Sequence, residues 1–407
     1  MNQSELIRSS ALRSFSAWLS ERLSRVTSSG DLIPEIDGLR FIAIGTVILH
    51  HTMAIYLPRS GRSGFVRSPQ EWFAAAEQSW IVLAAYCGHF GVHLFFVISG
   101  FILALPFARK YLAGLPPPSL RSYYLRRVTR IEPPYILCLV LFFLYLWNKT
   151  GEAVSLVPSL IASLFYSHGL VYGQGSRINE VTWSLEIEIQ FYLLVPLLVR
   201  LFMLRSALAR RALLSVLMLG FGLLSQQVFG NSPNPLWRHT LPNYLHYFLA
   251  GFLLADLYLT SSARSLKKYL SWDLATLIAA AAIAAVLLHF YQYLFALPFL
   301  VALLYAGFFL GRFSNALIRT KWIVITGGMC YTFYLYHTIV IGGVMDQTIR
   351  LSSAASPFIL DFLVQFLLVC VPVFAVCSWL FVYTEKPFMK WSLSARPAPA
   401  VQHSTGD

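Results

Sequence analysis

The sequence predicts an all-α integral membrane protein of about ten transmembrane helices with both termini in the cytoplasm. Of its 407 residues, 57% are hydrophobic and only 12% are charged, whereas soluble domains carry about 25% charged residues. Apolar segments long enough to cross a bilayer recur along the whole chain. Basic residues concentrate in alternate loops between these segments, which is the pattern that fixes the orientation of multi-pass membrane proteins.

Ten apolar segments match the length of a transmembrane helix, which needs about 20 residues. They lie near residues 38–57, 80–105, 133–148, 183–203, 213–230, 241–260, 272–289, 293–311, 322–345 and 357–383. A further apolar run at 154–172 contains serines, a proline and a histidine. We expect this run to be re-entrant or interfacial, because counting it as a span would place three arginines of the next loop outside the cell.

The distribution of charge supports this ten-helix arrangement. It places 24 of the 31 Lys and Arg residues on the cytoplasmic side and 7 on the outer side. The formal net charge of +13 therefore reflects the orientation of the chain in a membrane and does not indicate nucleic-acid binding. The five cysteines lie in apolar segments without metal-ligand spacing, so we expect neither disulfides nor a metal site.

The chain divides into three parts. Residues 1–33 are polar and basic and lack the pattern of a secretory signal peptide. Residues 34–390 form the membrane domain, and residues 391–407 are a polar tail that we expect to be disordered in the cytoplasm. This organisation predicts a multi-pass protein of the cell (inner) membrane.

Arg40 and His51 share one face of the first apolar segment. Their separation of eleven positions is about 1100° of helical rotation, so the two side chains differ in direction by only about 20°. His51 lies about 16 Å further along the helix axis, near the middle of the hydrocarbon layer. Ionisable residues at that depth are candidates for function, so the pair suggests chemistry performed inside the membrane.

A basic cluster follows the second segment, with Arg126, Arg127 and Arg130 within five residues. Arginine side chains match the oxygens of phosphate groups with two hydrogen bonds. The cluster could therefore bind a phosphorylated cytoplasmic donor. It could equally anchor the chain to anionic lipid headgroups.

The second segment itself combines histidines with small residues. His89 and His93 are four positions apart and could share a helix face. No HExxH-like pattern accompanies them, so we favour a polar cavity-lining function over a metal site. Ser99 and Gly100 further along permit close helix packing.

The fourth segment opens with Trp183 and Ser184 and places Glu188 about 9 Å below the predicted outer surface. His337 lies about fifteen residues into the ninth segment, at or beyond the midplane. Both reach a depth similar to that of His51, so a shared polar centre is expected. The alternatives are a carboxylate placed near a helix N-terminus and a histidine satisfied by its own surroundings.

Six motifs in this order resemble the membrane acyltransferases of acyltransferase family 3, the bacterial O-antigen and polysaccharide O-acetylase-like group. The resemblance covers about residues 34–390. The motifs are DGLR-x10-H (Asp37 to His51), GVxLFFVISGF (Gly91 to Phe101), RRxxRIxPxY (Arg126 to Tyr135), TWSLxxE-x-x-FYL (Thr182 to Leu193), Cys330 to His337, and ExP (Glu385 to Pro387).

The resemblance implies transfer of an acyl group, usually acetyl from acetyl-CoA, to a hydroxyl of a glycan or related acceptor, often at the outer face. It implies that Arg40 and His51 are essential, that the three clustered arginines hold the CoA, and that Glu188 is important. The sequence departs from the family where His93 replaces an acidic residue and Cys330 replaces a serine. Many members also carry a C-terminal hydrolase-like domain. Because this chain ends soon after its last span, we expect it to act alone, as a homo-oligomer, or with a glycan-assembly partner.

The sequence thus predicts a membrane O-acyltransferase. Arg40 and the basic cluster would hold the CoA phosphates, and His51 would act as general base, because the pKa of histidine suits proton transfer near neutral pH. Glu188 or His337 would orient the imidazole or the acceptor, and an acyl-histidine intermediate is a variant. The alternative functions are a glycan or lipid transporter with proton-linked His and Glu residues, or a scaffold that tolerates loss of His51.

Overall fold

The computed structural model describes residues 16–26, 32–61, 80–116, 118–260, 268–352 and 356–389. Within these ranges the chain is almost entirely helical, and the only β-type pairing is an isolated bridge between Tyr269 and Gly311. The predicted all-α fold class is therefore confirmed. The tail predicted to be disordered, 391–407, lies outside the described residues.

A short helix at residues 16–23 precedes the main helices, which we number in chain order. These are α1 (Pro34–Arg59), α2 (Trp80–Cys87), α3 (Gly91–Ala113), α4 (Leu120–Thr150), α5 (Ala153–Leu164), α6 (His168–Tyr172), α7 (Trp183–Leu198), α8 (Ala207–Leu224), α9 (Leu245–Thr260), α10 (Leu270–Leu288), α11 (Leu297–Leu310), α12 (Phe313–Ile318), α13 (Lys321–Gly328), α14 (Cys330–Thr348) and α15 (Phe358–Leu380).

Each of the ten predicted segments coincides with a helix or a helix pair in the described part of the chain. Seven of these are long and apolar enough to cross a membrane, and the bent pair α13–α14 would make eight. The other two, α7 and α9, have 16 residues each, or about 24 Å of length. Helix α9 is buried along most of its length, so it forms the centre of the bundle instead of facing lipid.

Two segments differ in detail from a simple row of spans. The segment 322–345, predicted as one helix, is two helices that meet at 74°, because the glycines at the end of α13 and the non-helical Met329 interrupt it. The run 154–172 forms α5, of 12 residues, and the short α6. At about 18 Å, α5 is too short to cross about 30 Å of hydrocarbon.

Glycines allow the helices around the bundle centre to approach closely. Gly100 of α3 lies against the main chain at Phe248 of α9, and Gly251 of α9 lies in turn against Val97 and Phe101. A side chain at either glycine would overlap the opposite backbone. The function of Gly100 is thus to pack α3 on α9, as the small-residue interpretation suggests.

We expect Gly327→Ala to destabilise the protein by about 1–3 kcal/mol, the usual cost of overpacking. An added Cβ there would overlap the backbone carbonyl of Asp37 and push α13 off α1. The matched control is Gly342→Ala in α14, where nothing lies within 4 Å of the added atom. Its stability should be unchanged or raised by up to about 1 kcal/mol. Thermal unfolding of both variants in lipid nanodiscs measures the difference, and equal unfolding temperatures would contradict the close contact.

Candidate active site

The predicted site residues surround one cavity of about 160 Å³ between α1, α3, α4, α7 and α14. Eight of them line it, namely Arg40, His51, Ser99, Arg127, Arg130, Trp183, Ser184 and Glu188. The other four lie outside its lining, namely Asp37, Gly100, Arg126 and His337. The helical spacing that places Arg40 and His51 on one face of α1 therefore directs both side chains into a single cavity.

His51 and His337 form a close pair at this cavity. Their ring centroids are 5.0 Å apart, and His337 is fully buried behind His51. The Nδ1 atom of His337 lies 2.8 Å from the carbonyl oxygen of Phe333 and 3.0 Å from that of Tyr334. Because carbonyls only accept hydrogen bonds, Nδ1 carries the proton, and Nε2 is left with a lone pair. The buried Nε2 has no hydrogen-bond partner among the described residues.

Arg40 is held in place by a buried carboxylate. Asp37 is fully buried and accepts hydrogen bonds from Arg40 Nη1 at 2.8 Å and from Arg25 Nε at 2.7 Å. Burial and the neighbouring Arg40 lower the pKa of Arg25 to about 10, so Arg25 remains a cation at neutral pH. Asp37 thus fixes Arg40 and does not itself reach the cavity.

The basic cluster separates into two cavity residues and one that lies outside. The guanidinium of Arg127 lies over the rings of Tyr123 and Tyr192, and its buried Nε has no hydrogen-bond partner among the described residues. Arg126 instead donates a hydrogen bond to Ser122, one turn earlier. The predicted shared direction of Arg126 and Arg130 therefore does not bring Arg126 into the lining.

Arg130 is positioned by a carboxylate from the other end of the chain. Its Nη2 lies 4.0 Å from Oε1 of Glu385, a fully buried residue. A π-helical turn at Phe381–Glu385 places Glu385 here, and its Oε2 accepts a hydrogen bond from Thr332 at 2.6 Å. Glu385 of the ExP motif therefore lies behind the basic end of the cavity and helps to position Arg130.

Glu188 lies on the wall formed by α7. Its Oε1 accepts hydrogen bonds from Ser99 at 2.6 Å and from Tyr192 at 2.5 Å. No described residue donates a hydrogen bond to its Oε2. The expectation that Glu188 orients an imidazole has no direct contact to support it, since its partners are hydroxyl groups.

Trp183 and Ser184 begin α7 on the same wall. Ser184 donates a hydrogen bond to the hydroxyl of Tyr334 at 3.1 Å, and that hydroxyl donates to the carbonyl of Val181 at 2.7 Å. These contacts tie α7 to α14. Trp183 and Tyr334 also line the cavity, so this wall is aromatic where the opposite end is basic.

Sequence reasoning did not single out several residues of the site. Arg25 is one of four arginines in a polar segment, and only the folded chain shows that it contacts Asp37. Tyr192 follows Glu188 by four positions, a spacing that places both on one helix face and could have identified it. Among the described residues, no group of three or more His, Cys, Asp or Glu side chains could hold a metal ion.

The arrangement can bind an anion and move a proton. Three arginines line the cavity, while His51 faces it with a second histidine as its neighbour. Such a cavity suits a negatively charged substrate whose reactive group reaches the imidazole.

Comparison with known proteins gives the family. A family model described as an acyltransferase domain matches residues 33–382. The chain is 28% identical over 178 residues, or 41% of its length, to the O-acetyltransferase OatA of Staphylococcus aureus. It is 27% identical over 205 residues, or 47% of its length, to the peptidoglycan O-acetyltransferase OatA of Listeria monocytogenes.

The matched stretches cover 24% and 28% of these two relatives, so the chain matches about a quarter of their length. No solved structure matches the chain. The family model nevertheless spans most of the sequence, from just before α1 into the π-helical turn after α15. The chain therefore belongs to the acyltransferase-domain family that its motifs resemble, acyltransferase family 3.

Proposed function

We propose that the protein is a membrane O-acetyltransferase that moves an acetyl group from cytoplasmic acetyl-CoA to a hydroxyl of a cell-surface glycan. The observation that carries this proposal is one cavity that joins Arg40, Arg127 and Arg130 to His51. The relatives are named as O-acetyltransferases, and one of them as a peptidoglycan O-acetyltransferase. A glycan of the cell wall is therefore the acceptor class that we infer.

The arginines would receive the phosphate groups of the donor. The partnerless Nε of Arg127 and the guanidinium of Arg130 can each donate to phosphate oxygens. Both lie near the start of α4, on the side that the distribution of Lys and Arg assigns to the cytoplasm. The thioester end of the donor would then extend between α1 and α7 toward His51.

His51 would carry the proton through the reaction. It takes the proton of the acceptor hydroxyl while the hydroxyl oxygen attacks the thioester carbonyl carbon. A carbon–oxygen ester bond forms, the carbon–sulfur bond breaks, and the leaving thiolate receives the proton from His51. The Nε2 lone pair of His337 would accept a hydrogen bond from the remaining N–H of the His51 imidazole. This hydrogen bond would hold the His51 ring in the reactive orientation.

Glu188 would bind the acceptor. Ser99 and Tyr192 hold one carboxylate oxygen, which leaves the other to accept a hydrogen bond from a second hydroxyl of the glycan. That contact would orient the acceptor without placing a second base at the reacting atoms.

The proposal is tested with membranes that contain the full chain and acetyl-CoA labelled in the acetyl group. We expect alkali-labile label in glycan or lipid-linked material with the wild type and with His289→Ala, an exposed histidine that serves as control. We expect none with His51→Ala at equal protein level. Glycan that crosses the membrane without acetyl-CoA would instead identify a transporter, and equal label with His51→Ala would remove His51 from the mechanism.

The two neighbouring arginines Arg126 and Arg127 should differ in their effect on the donor. We expect Arg127→Gln to raise the KM for acetyl-CoA about tenfold or more, because a hydrogen bond to a charged group contributes about 1.5–3 kcal/mol. Arg126→Gln should leave the KM nearly unchanged, because Arg126 points to Ser122 and away from the lining. Steady-state kinetics at varied acetyl-CoA measures both. Equal effects of the two substitutions would indicate general attraction to the basic surface.

A further inference from the structure

A second cavity, of about 530 Å³, lies beside the first. It is formed where α3, α9 and α11 begin and where α8 ends. Its lining combines amide, hydroxyl and imidazole groups with aromatic rings, and includes His89, His93, Gln226, Tyr244, His246 and Tyr247. Its mouth includes Gly230 and Asn231, which are exposed.

Three polar atoms in this lining are buried and have no hydrogen-bond partner among the described residues. They are Nδ1 of His93, Nδ1 of His246 and Oε1 of Gln226. His246 is only 3% exposed. Buried polar groups are nearly always satisfied in folded proteins, and each exception calls for a partner. Three such atoms in one cavity indicate a ligand rich in hydrogen-bonding groups.

The charge of the two cavities differs completely. Arg40, Arg127 and Arg130 line the first cavity, whereas no Asp, Glu, Lys or Arg is among the described residues that line the second. An anionic ligand would find no counter-charge among these residues. Tyrosine rings and Phe90 supply apolar faces with polar edges, which suit the C–H faces and hydroxyl rims of a sugar ring.

Ring contacts connect the lining of the second cavity to that of the first. The ring of His89 lies 5.7 Å from that of His50, which lies 5.2 Å from that of His51. Tyr244, in the second lining, contacts the ring of Trp183 at 5.4 Å, and Trp183 lines the first. The linings of the two cavities are therefore in contact with each other through Tyr244 and Trp183.

We propose that the second cavity binds an uncharged sugar and is the acceptor subsite of this enzyme. The inference rests on the proposed function and adds to it the chemical class of the acceptor residue, a neutral polyhydroxylated ring. His93, His246 and Gln226 contribute the hydrogen bonds, and the aromatic rings contribute the stacking surface. The charged donor and a neutral ring of the acceptor thus occupy separate, neighbouring cavities.

The test measures saturation transfer by NMR from the full chain in phosphatidylcholine nanodiscs, which contain no sugar, to glucose and to glucuronate. The second probe has a similar ring and adds a carboxylate. The key variant carries His93→Phe and His246→Phe together. Both rings contact aromatic neighbours, since His93 stacks on Phe90 and His246 is tilted against Tyr247. Phenylalanine therefore keeps an aromatic ring at each position and removes the ring nitrogens.

We expect transfer to glucose, weaker transfer to glucuronate, and about a tenfold loss for glucose in the double variant, as expected for two lost hydrogen bonds. The exposed His289→Phe and the donor-side Arg127→Gln should keep the wild-type signal. No signal from the wild type, an equal signal from the double variant, or an equal signal with glucuronate would overturn the proposal. If acetyl-CoA neither binds nor donates while glucose still binds, the proposed reaction fails and the sugar site stands.

Discussion

Replacing His51 by alanine is expected to lower kcat for acetyl transfer by about 10²- to 10⁴-fold, the usual contribution of a general base. His51 is the histidine that lines the cavity shared with the three arginines. Without it, no imidazole remains among the described residues that line this cavity to take the proton of the acceptor hydroxyl. The KM for acetyl-CoA should change little, because the arginines that would hold the phosphates remain in place.

His337→Ala separates positioning from proton transfer. His337 is buried behind His51, so we expect a smaller loss of kcat than with His51→Ala and no change in the KM for the donor. Steady-state transfer of labelled acetyl groups measures both variants, with His289→Ala as the exposed control. If His337→Ala loses more activity than His51→Ala, His337 is the base and the assignment of the pair is reversed.

Replacing Asp37 by alanine is expected to destabilise the protein by about 3–5 kcal/mol, the cost of removing one partner from a buried ion pair. Asp37 is fully buried and is the carboxylate that binds both Arg25 and Arg40. Its loss leaves two cations close together without compensation. Arg40 would also lose its anchor, so transfer activity should fall even in molecules that remain folded.

The matched control for Asp37 is Asp346→Ala. Asp346 accepts from Arg59 at 2.9 Å, but the two side chains are 40% and 34% exposed, and such surface pairs contribute about 0–1 kcal/mol. Thermal unfolding in nanodiscs should therefore distinguish the two substitutions clearly. Similar unfolding temperatures for both variants would show that the buried carboxylate is not needed to balance the arginines.

Composition and segment length were sufficient to predict an all-α membrane bundle, because the bilayer requires long apolar helices whatever the tertiary contacts are. Every predicted segment is helical in the structure. Local interruptions were harder to predict. The 74° bend between α13 and α14 lies beside the contact of Gly327 with Asp37. Asp37 is nearly 300 positions earlier, so the hydropathy of the segment carries no sign of this contact.

The same distinction applies to the site. The spacing of Arg40 and His51 follows from helix geometry alone, so their convergence on one cavity was predictable. Arg126 and Arg127 are equivalent in a sequence pattern, and only packing decides that Arg127 enters the cavity. The second cavity is lined by residues from α3, α8, α9 and α11. One of them, His246, lies in a mostly apolar helix. No single sequence motif therefore predicts this cavity.

The first and last described helical segments are joined by hydrogen bonds beside the site. Lys386 donates to the carbonyls of Glu21 and Arg22 at the end of the helix at 16–23, and Arg25 follows directly to reach Asp37. Of the residues in these contacts, only Asp37 lies within the 33–382 boundaries of the matched domain. A chimera or a minimal enzyme cut at those boundaries would therefore lose both contacts. Exchange of the domain between proteins should keep residues 16–389 together.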